Sequence, residues 1–203
     1  MKRVFLALSG LLVAAAPAFA QPPAAAGQPT TIAVAIQRGY NNVKMNLVQM
    51  ADKVSDADYG FKVGTQAETR NFGQLFAHIA QSQFGTCSTV KGVPNPMMGR
   101  MLETELKTKA EFVKALNDSF TFCDDAYAGL TDANVTELVR QGQGQVMRGA
   151  ALANNVSHDN EMYGTGAAYL RSKNIVPPST ERQQMGRGGA RGGAPGATPP
   201  PGR

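Results

Sequence analysis

The 203-residue chain has no tryptophan, two histidines, two cysteines and 7% aromatic residues. So few rings leave little material for a base-stacking platform. Two cysteines cannot complete a structural zinc cluster unaided, nor the framework of a disulfide-dense mini-protein. Beyond Ala20 no apolar run approaches the roughly 20 residues that a spanning helix needs, so stable membrane insertion of that part is not expected. An excess of charge is missing from the body as well. The formal charge is +5, from 20 Lys and Arg against 15 Asp and Glu. Lys2 and Arg3 open the chain, and Arg182, Arg187, Arg191 and Arg203 lie near its end. With those six and Glu181 set aside, Gln21–Thr180 carries 14 basic and 14 acidic residues. A basic nucleic-acid-binding surface is therefore not expected.

What is present begins with an export signal. Met1–Ala20 (MKRVFLALSGLLVAAAPAFA) has a basic start, an apolar run over Val4–Ala16 and a small-x-small Ala18-Phe19-Ala20 site. This pattern predicts a cleaved signal peptide over residues 1–20, with cleavage between Ala20 and Gln21, and a periplasmic or secreted mature protein. Residues 21–30 form a Pro/Ala/Gly/Gln linker. In an oxidising compartment Cys87 and Cys123 are candidates for one disulfide, with two separate buried thiols as the alternative.

The body, residues 31–180, carries helical periodicity. Ile32, Ile36, Tyr40, Val43, Leu47, Met50 and Val54 recur at three and four, behind a capping Thr30 or Thr31. Ser55–Gln66 reads as a loop, with Tyr59 and Phe61 tucked against the body. A second helix starts near Arg70 and marks one face with Phe72, Leu75, Phe76, Ile79, Gln83 and Cys87, until Gly92–Pro96 breaks the chain. A third runs from about Thr104 to Ala128 through Phe112, Leu116, Phe120, Cys123 and Tyr127. After a glycine-containing connection over Thr131–Gln145, a fourth runs from about Val146 to Lys173 through Leu152, Val156, Tyr163, Ala167 and Leu170. Pro177-Pro178 is read as the end of the structure, and residues 181–203 as a disordered Gly/Arg/Pro tail. No stretch alternates like a strand. The fold class is all-α, and four amphipathic helices make a bundle the economical architecture.

The candidate chemistry centres on the two histidines. His78 and His158 fall in the middle of different helices, where a bundle can bring them face to face. Glu161 and Met162 lie three and four residues after His158, on a shared face. Three segments then carry a resemblance: Thr69–Ala80 (TRNFGQLFAHIA), Ser157–Arg171 (SHDNEMYGTGAAYLR) and Ile175–Ser179 (IVPPS). Over about Thr31–Ser179 the chain resembles the DinB-like family, which includes YfiT-type metal-dependent proteins and thiol-cofactor transferases. The resemblance implies a bundle of up-down-down-up order and a divalent metal held by three histidines. Two of those positions match His78 and His158. The third is Met162, where the chain departs from the pattern.

A thioether is a soft, weak ligand for Zn²⁺, Ni²⁺ or Mn²⁺. Three outcomes stay open: a degraded site with no tightly bound metal, substitution by Glu161, or a His/His/Met set suited to Cu(I). The leading expectation is an exported DinB-like protein of unassigned activity with a degraded site. The alternative is a divalent-metal-dependent transferase or hydrolase using His78 and His158 with Glu161 or Met162. A further alternative places a small apolar ligand in a cleft lined by Phe72, Phe76 and Tyr163. A small-molecule ligand and a homodimer remain open as partners, and a nucleic acid is not expected. Asp124-Asp125 and Glu103-x-Glu105 read as solvated faces. Gly142-x-Gly144 lacks the third glycine and preceding strand of a dinucleotide fingerprint.

Overall fold

The computed structural model describes residues 30–191. The signal-peptide expectation, nearly all of the linker and the end of the tail lie outside the described residues. Four long helices form the body: α1 (Ile32–Lys53), α2 (Phe72–Lys91), α4 (Lys109–Ala128) and α5 (Arg148–Ser172). A four-residue α3 (Leu102–Glu105) precedes α4. Strands β1 (Leu138–Gln141) and β2 (Gly144–Met147) precede α5, and α6 (Pro178–Arg191) follows it.

The starts are written in capping chemistry. Thr31 accepts from the Val34 N–H at α1. Asn71 and Gln74 close a reciprocal capping box at α2, as Thr108 and Glu111 do at α4. Each box satisfies two amide donors that the first turn leaves free. The box at Thr108 also explains why the third long helix starts there rather than at Thr104, with α3 as a separate turn.

Packing settles the topology. Near their N-termini Gly73 of α2 meets Phe112 of α4, and near their C-termini Cys87 and Cys123 are bonded, so these helices run parallel. Along α1 and α5, Gly39 meets Val156 and Gly166 meets Met50, again in parallel. Across the bundle Lys109 of α4 bonds the Val54 carbonyl, while Tyr40 of α1 bonds the Phe120 carbonyl, an antiparallel relation. The order is therefore up-down-down-up, as the resemblance implied. The expected stripe on α1 is buried at Tyr40, Val43, Leu47 and Met50, whereas Ile32 at its start is 65% exposed. Phe72 and Phe76 are core residues at 2% and 1% exposure, and Tyr163 at 8% bonds Ser179. Phe72 borders a small pocket with Tyr169 and Ile175, and neither Phe76 nor Tyr163 contributes to it, which corrects the expectation of one cleft lined by all three. Among the described residues no helix is long and apolar enough to cross a membrane.

Two further segments depart from the sequence reading. Residues within the expected connection Thr131–Gln145 contribute to an antiparallel hairpin pairing Leu138 with Met147 and Gln141 with Gly144. Gly142 at φ 59° supplies the conformation that such a two-residue turn requires. Gly149 then lets α5 pass close to the preceding segment, since a Cβ there would lie 2.3 Å from Val135 Cγ2. The chain also does not stop at Pro177-Pro178. Pro178 is the first residue of α6, a position where a missing N–H costs nothing. Polar contacts hold α6 on α1: Lys53 pairs with Glu181 at 2.5 Å, and Arg182 bonds Gln49 at 2.7 Å and also Asn46. Residues 181–191, expected as disordered tail, are therefore the continuation of α6.

Candidate functional site

Antiparallel packing of α2 on α5 brings the two histidines together. Their Nε2 atoms lie 3.1 Å apart, and the side chains of His78 and His158 are 29% and 25% exposed. Behind His78, α3 supplies Glu103, whose Oε1 is 2.8 Å from His78 Nδ1 and whose Oε2 is 2.7 Å from Arg70 Nε. The turn is fastened to α2: Gln81 donates to the Arg100 carbonyl and accepts from the Leu102 N–H. Glu103 is thus no solvated residue. Burial pushes its carboxyl up, but the bonds from Arg70 and His78 outweigh burial and hold it below the usual value. Asp124, also expected to be solvated, bonds Lys44 and Tyr40.

An ionised Glu103 can only accept, so His78 Nδ1 must donate to it. Burial, with Arg70 and His158 nearby, outweighs the Glu103 contact and lowers the His78 pKa, so the ring is neutral at neutral pH. Its Nε2 then carries a lone pair, and the network assigns the intervening proton to His158 Nε2. His158 Nδ1 has no hydrogen-bond partner and faces Asp159 Oδ1 at 3.5 Å, within ion-pair range but without hydrogen-bond geometry.

Beneath the pair lies a buried polar seam. Asp159 is fully buried, and its Oδ2 accepts from Gln83 Nε2 at 3.2 Å and Asn155 Nδ2 at 3.4 Å. Asn155 also donates to the Tyr127 hydroxyl, which donates to the Leu152 carbonyl. Four buried atoms of the pair and the seam have no hydrogen-bond partner among the described residues: Gln83 Oε1, Asn155 Oδ1, Asp159 Oδ1 and His158 Nδ1. Burial raises the Asp159 pKa to about 6, partly offset by His158.

Met162 is half-buried and packs against the core, whereas Glu161 is exposed. Among the described residues no hydrogen bond or ion pair joins the Glu161 carboxylate to either histidine. Nor is any group of three His, Cys, Asp or Glu side chains placed to hold a metal ion. Cys87 and Cys123 form a disulfide between α2 and α4, with Cα atoms 5.3 Å apart.

A family model described as the DinB superfamily matches residues 40–165, which is 126 of the 203 residues. The chain belongs to the DinB superfamily. Solved structures show the same fold. A DinB-like protein from Bacillus cereus ATCC 10987 has a TM-score of 0.58 at 14% identity, over 70% of this chain and 93% of that one. An uncharacterised protein from Escherichia coli UTI89 has a TM-score of 0.55 at 15% identity, over 73% of this chain and 97% of that one. No curated protein matches this DinB chain in sequence. Glu103, Asp159 and Asn155 had no place in the sequence reading of the site. Gln83 was legible only as a helix-face residue, and Arg70 only as part of a family-like segment.

Proposed function

We propose that this is an exported DinB domain whose divalent-metal centre has lapsed, leaving His78 and His158 as a hydrogen-bonded polar link between α2 and α5. The observation that carries the reading is the donor set. Two imidazoles meet, Met162 stands four residues after His158 where the family pattern has a third histidine, and among the described residues no group of three His, Cys, Asp or Glu side chains is placed to hold a metal ion. This set does not fit the three-histidine divalent site that the family resemblance implies. A neutral thioether contributes little to Zn²⁺, Ni²⁺ or Mn²⁺, and losing one imidazole of three weakens such a site by orders of magnitude. Export rests on the Met1–Ala20 pattern, and the Cys87–Cys123 disulfide accords with an oxidising compartment.

Donor softness supports one other reading, since two imidazoles and a thioether suit Cu(I) better than a divalent ion. One experiment addresses both. Purified protein is loaded with Zn²⁺, Ni²⁺ or, under reductant, Cu(I), then dialysed and analysed for metal beside Met162→His and His158→Ala. The lapsed-site reading expects wild type to retain none and Met162→His to gain a divalent ion. Divalent metal retained by wild type and lost in His158→Ala overturns it. Cu(I) retained in that pattern supports the second reading instead.

A further inference from the structure

The folded body is neutral by composition, yet its charge is unevenly placed. A cavity of about 650 Å³ opens between the C-terminal end of α2, the loop after it and the β1–β2 hairpin. Lys91, Arg140 and Arg148 contribute to its lining, and no acidic residue does. Its volume falls within the range of small-molecule sites, roughly 300–1,000 Å³. It is separate from the histidine pair: Gly85, the first α2 residue to line it, lies seven residues beyond His78, roughly 10 Å along the helix.

The walls follow from the sequence. Gly92 at φ 66° ends α2 in the left-handed conformation, and its N–H bonds back to the Ser88 and Thr89 carbonyls. The chain then reverses, and the Val93 N–H bonds the Ser88 carbonyl. Across the gap Arg148 staples the hairpin to the helix end. Its Nη1 donates to the Val90 carbonyl at 3.0 Å, its Nη2 to Glu137 at 3.2 Å, and its own N–H to the Glu137 carbonyl. Lys91 is held over the Phe122 ring and on the Phe122 carbonyl. Arg140 is different. Among the described residues its side chain makes one hydrogen bond, from Nε to the Gly142 carbonyl at 3.3 Å. Its two Nη groups are left to face solvent or a ligand. Beside these cations the lining includes Val139, Val93 and Met98, and the last two are 41% and 78% exposed.

We infer that this cavity binds a small organic monocarboxylate, with the carboxylate on the Arg140 guanidinium and the apolar body against Val93, Val139 and Met98. The observation is the pairing of an uncommitted guanidinium, in an acid-free lining, with apolar surface that folding leaves uncovered. An Arg fork matches a carboxylate in geometry and charge, and the apolar wall selects an organic acid over a bare anion. The inference does not depend on the state of the histidine pair.

Sodium octanoate is the probe, titrated into the purified full-length protein and followed by amide NMR, with octylammonium and inorganic phosphate as controls at equal ionic strength. Saturable shifts are expected at Gly85–Met98 and Val139–Gly142, with a Kd below about 1 mM. Arg140→Gln weakens binding about tenfold or more, the loss expected for a charge-assisted contact. Its melting temperature stays at the wild-type value, because the side chain carries so little of the fold. Val93→Asp, which places an acid in the wall, abolishes binding. The inference is overturned by the absence of saturable shifts, by equal binding of octylammonium or phosphate, by unchanged affinity in Arg140→Gln, or by shifts centred on His78 and His158.

Discussion

Replacing Asp159 with asparagine removes the ionisable group of the buried seam while keeping its shape. Burial raises the Asp159 pKa from the ordinary 3.8 to about 6 in the folded protein. A group held above its unfolded value contributes stability that is fully present below about pH 4 and is lost as pH rises through about 6. A shift of about two pH units corresponds to about 3 kcal/mol. Ionised Asp159 is thus a cost to the fold near neutral pH, only partly repaid by Gln83 and Asn155. His78 tilts the curve the other way: its lowered pKa makes stability fall as pH drops through its titration. The difference between wild type and Asp159→Asn isolates the aspartate, since both proteins keep His78. Guanidinium denaturation followed by far-UV circular dichroism, between about pH 4 and pH 7, measures it. The variant should gain up to about 3 kcal/mol on wild type as pH rises across this window. Parallel stability curves for the two proteins would refute the assignment of a costly buried carboxylate.

Other outcomes follow from the packing. Gly73→Ala drives a Cβ to within 2.4 Å of the Phe112 ring, so it should cost about 1–3 kcal/mol in the same denaturation assay. Reducing the disulfide, or making Cys87→Ser with Cys123→Ser, frees a closed loop with a sequence separation of 36 residues. In the chain-entropy account this lowers stability by about 3–4 kcal/mol, and mass determination with and without reductant checks that the bond is present. Tyr40→Phe removes a hydroxyl that bonds the Phe120 carbonyl and Asp124. It should cost about 1–2 kcal/mol, read as a lower denaturation midpoint.

The legible parts of the fold were those where local pattern and tertiary burial agree. Tyr40, Val43, Leu47 and Met50 recur at helical spacing and all face the core. On α5 the inward face includes Asn155 and Asp159, so its apolar period is interrupted where the site is built. The hairpin was hidden because Arg140-Gln-Gly-Gln-Gly-Gln145 shows no apolar alternation, and its pairing depends on a seat against α2. α6 was hidden for a related reason. Pro178 reads as a stop by itself and as a start only when Glu181 and Arg182 find partners on α1.

The meeting of His78 and His158 could be anticipated from two helices and a family-like pattern. Their partners could not. Glu103 lies 25 residues from His78, on a turn whose position is set by Gln81, and nothing local distinguishes it from the exposed Glu105. The cavity charge is likewise a property of assembly, because Lys91, Arg140 and Arg148 are scattered along a neutral body and converge only through the hairpin.

The proposed lapse of the divalent-metal centre turns on Met162 standing where a third histidine would. The decisive measurement is metal analysis after loading and dialysis, on wild type and Met162→His side by side. Wild type should retain no Zn²⁺ or Ni²⁺, and Met162→His, which restores three imidazole ligands, about one equivalent. About one equivalent of either ion held by wild type and released by His158→Ala would contradict it.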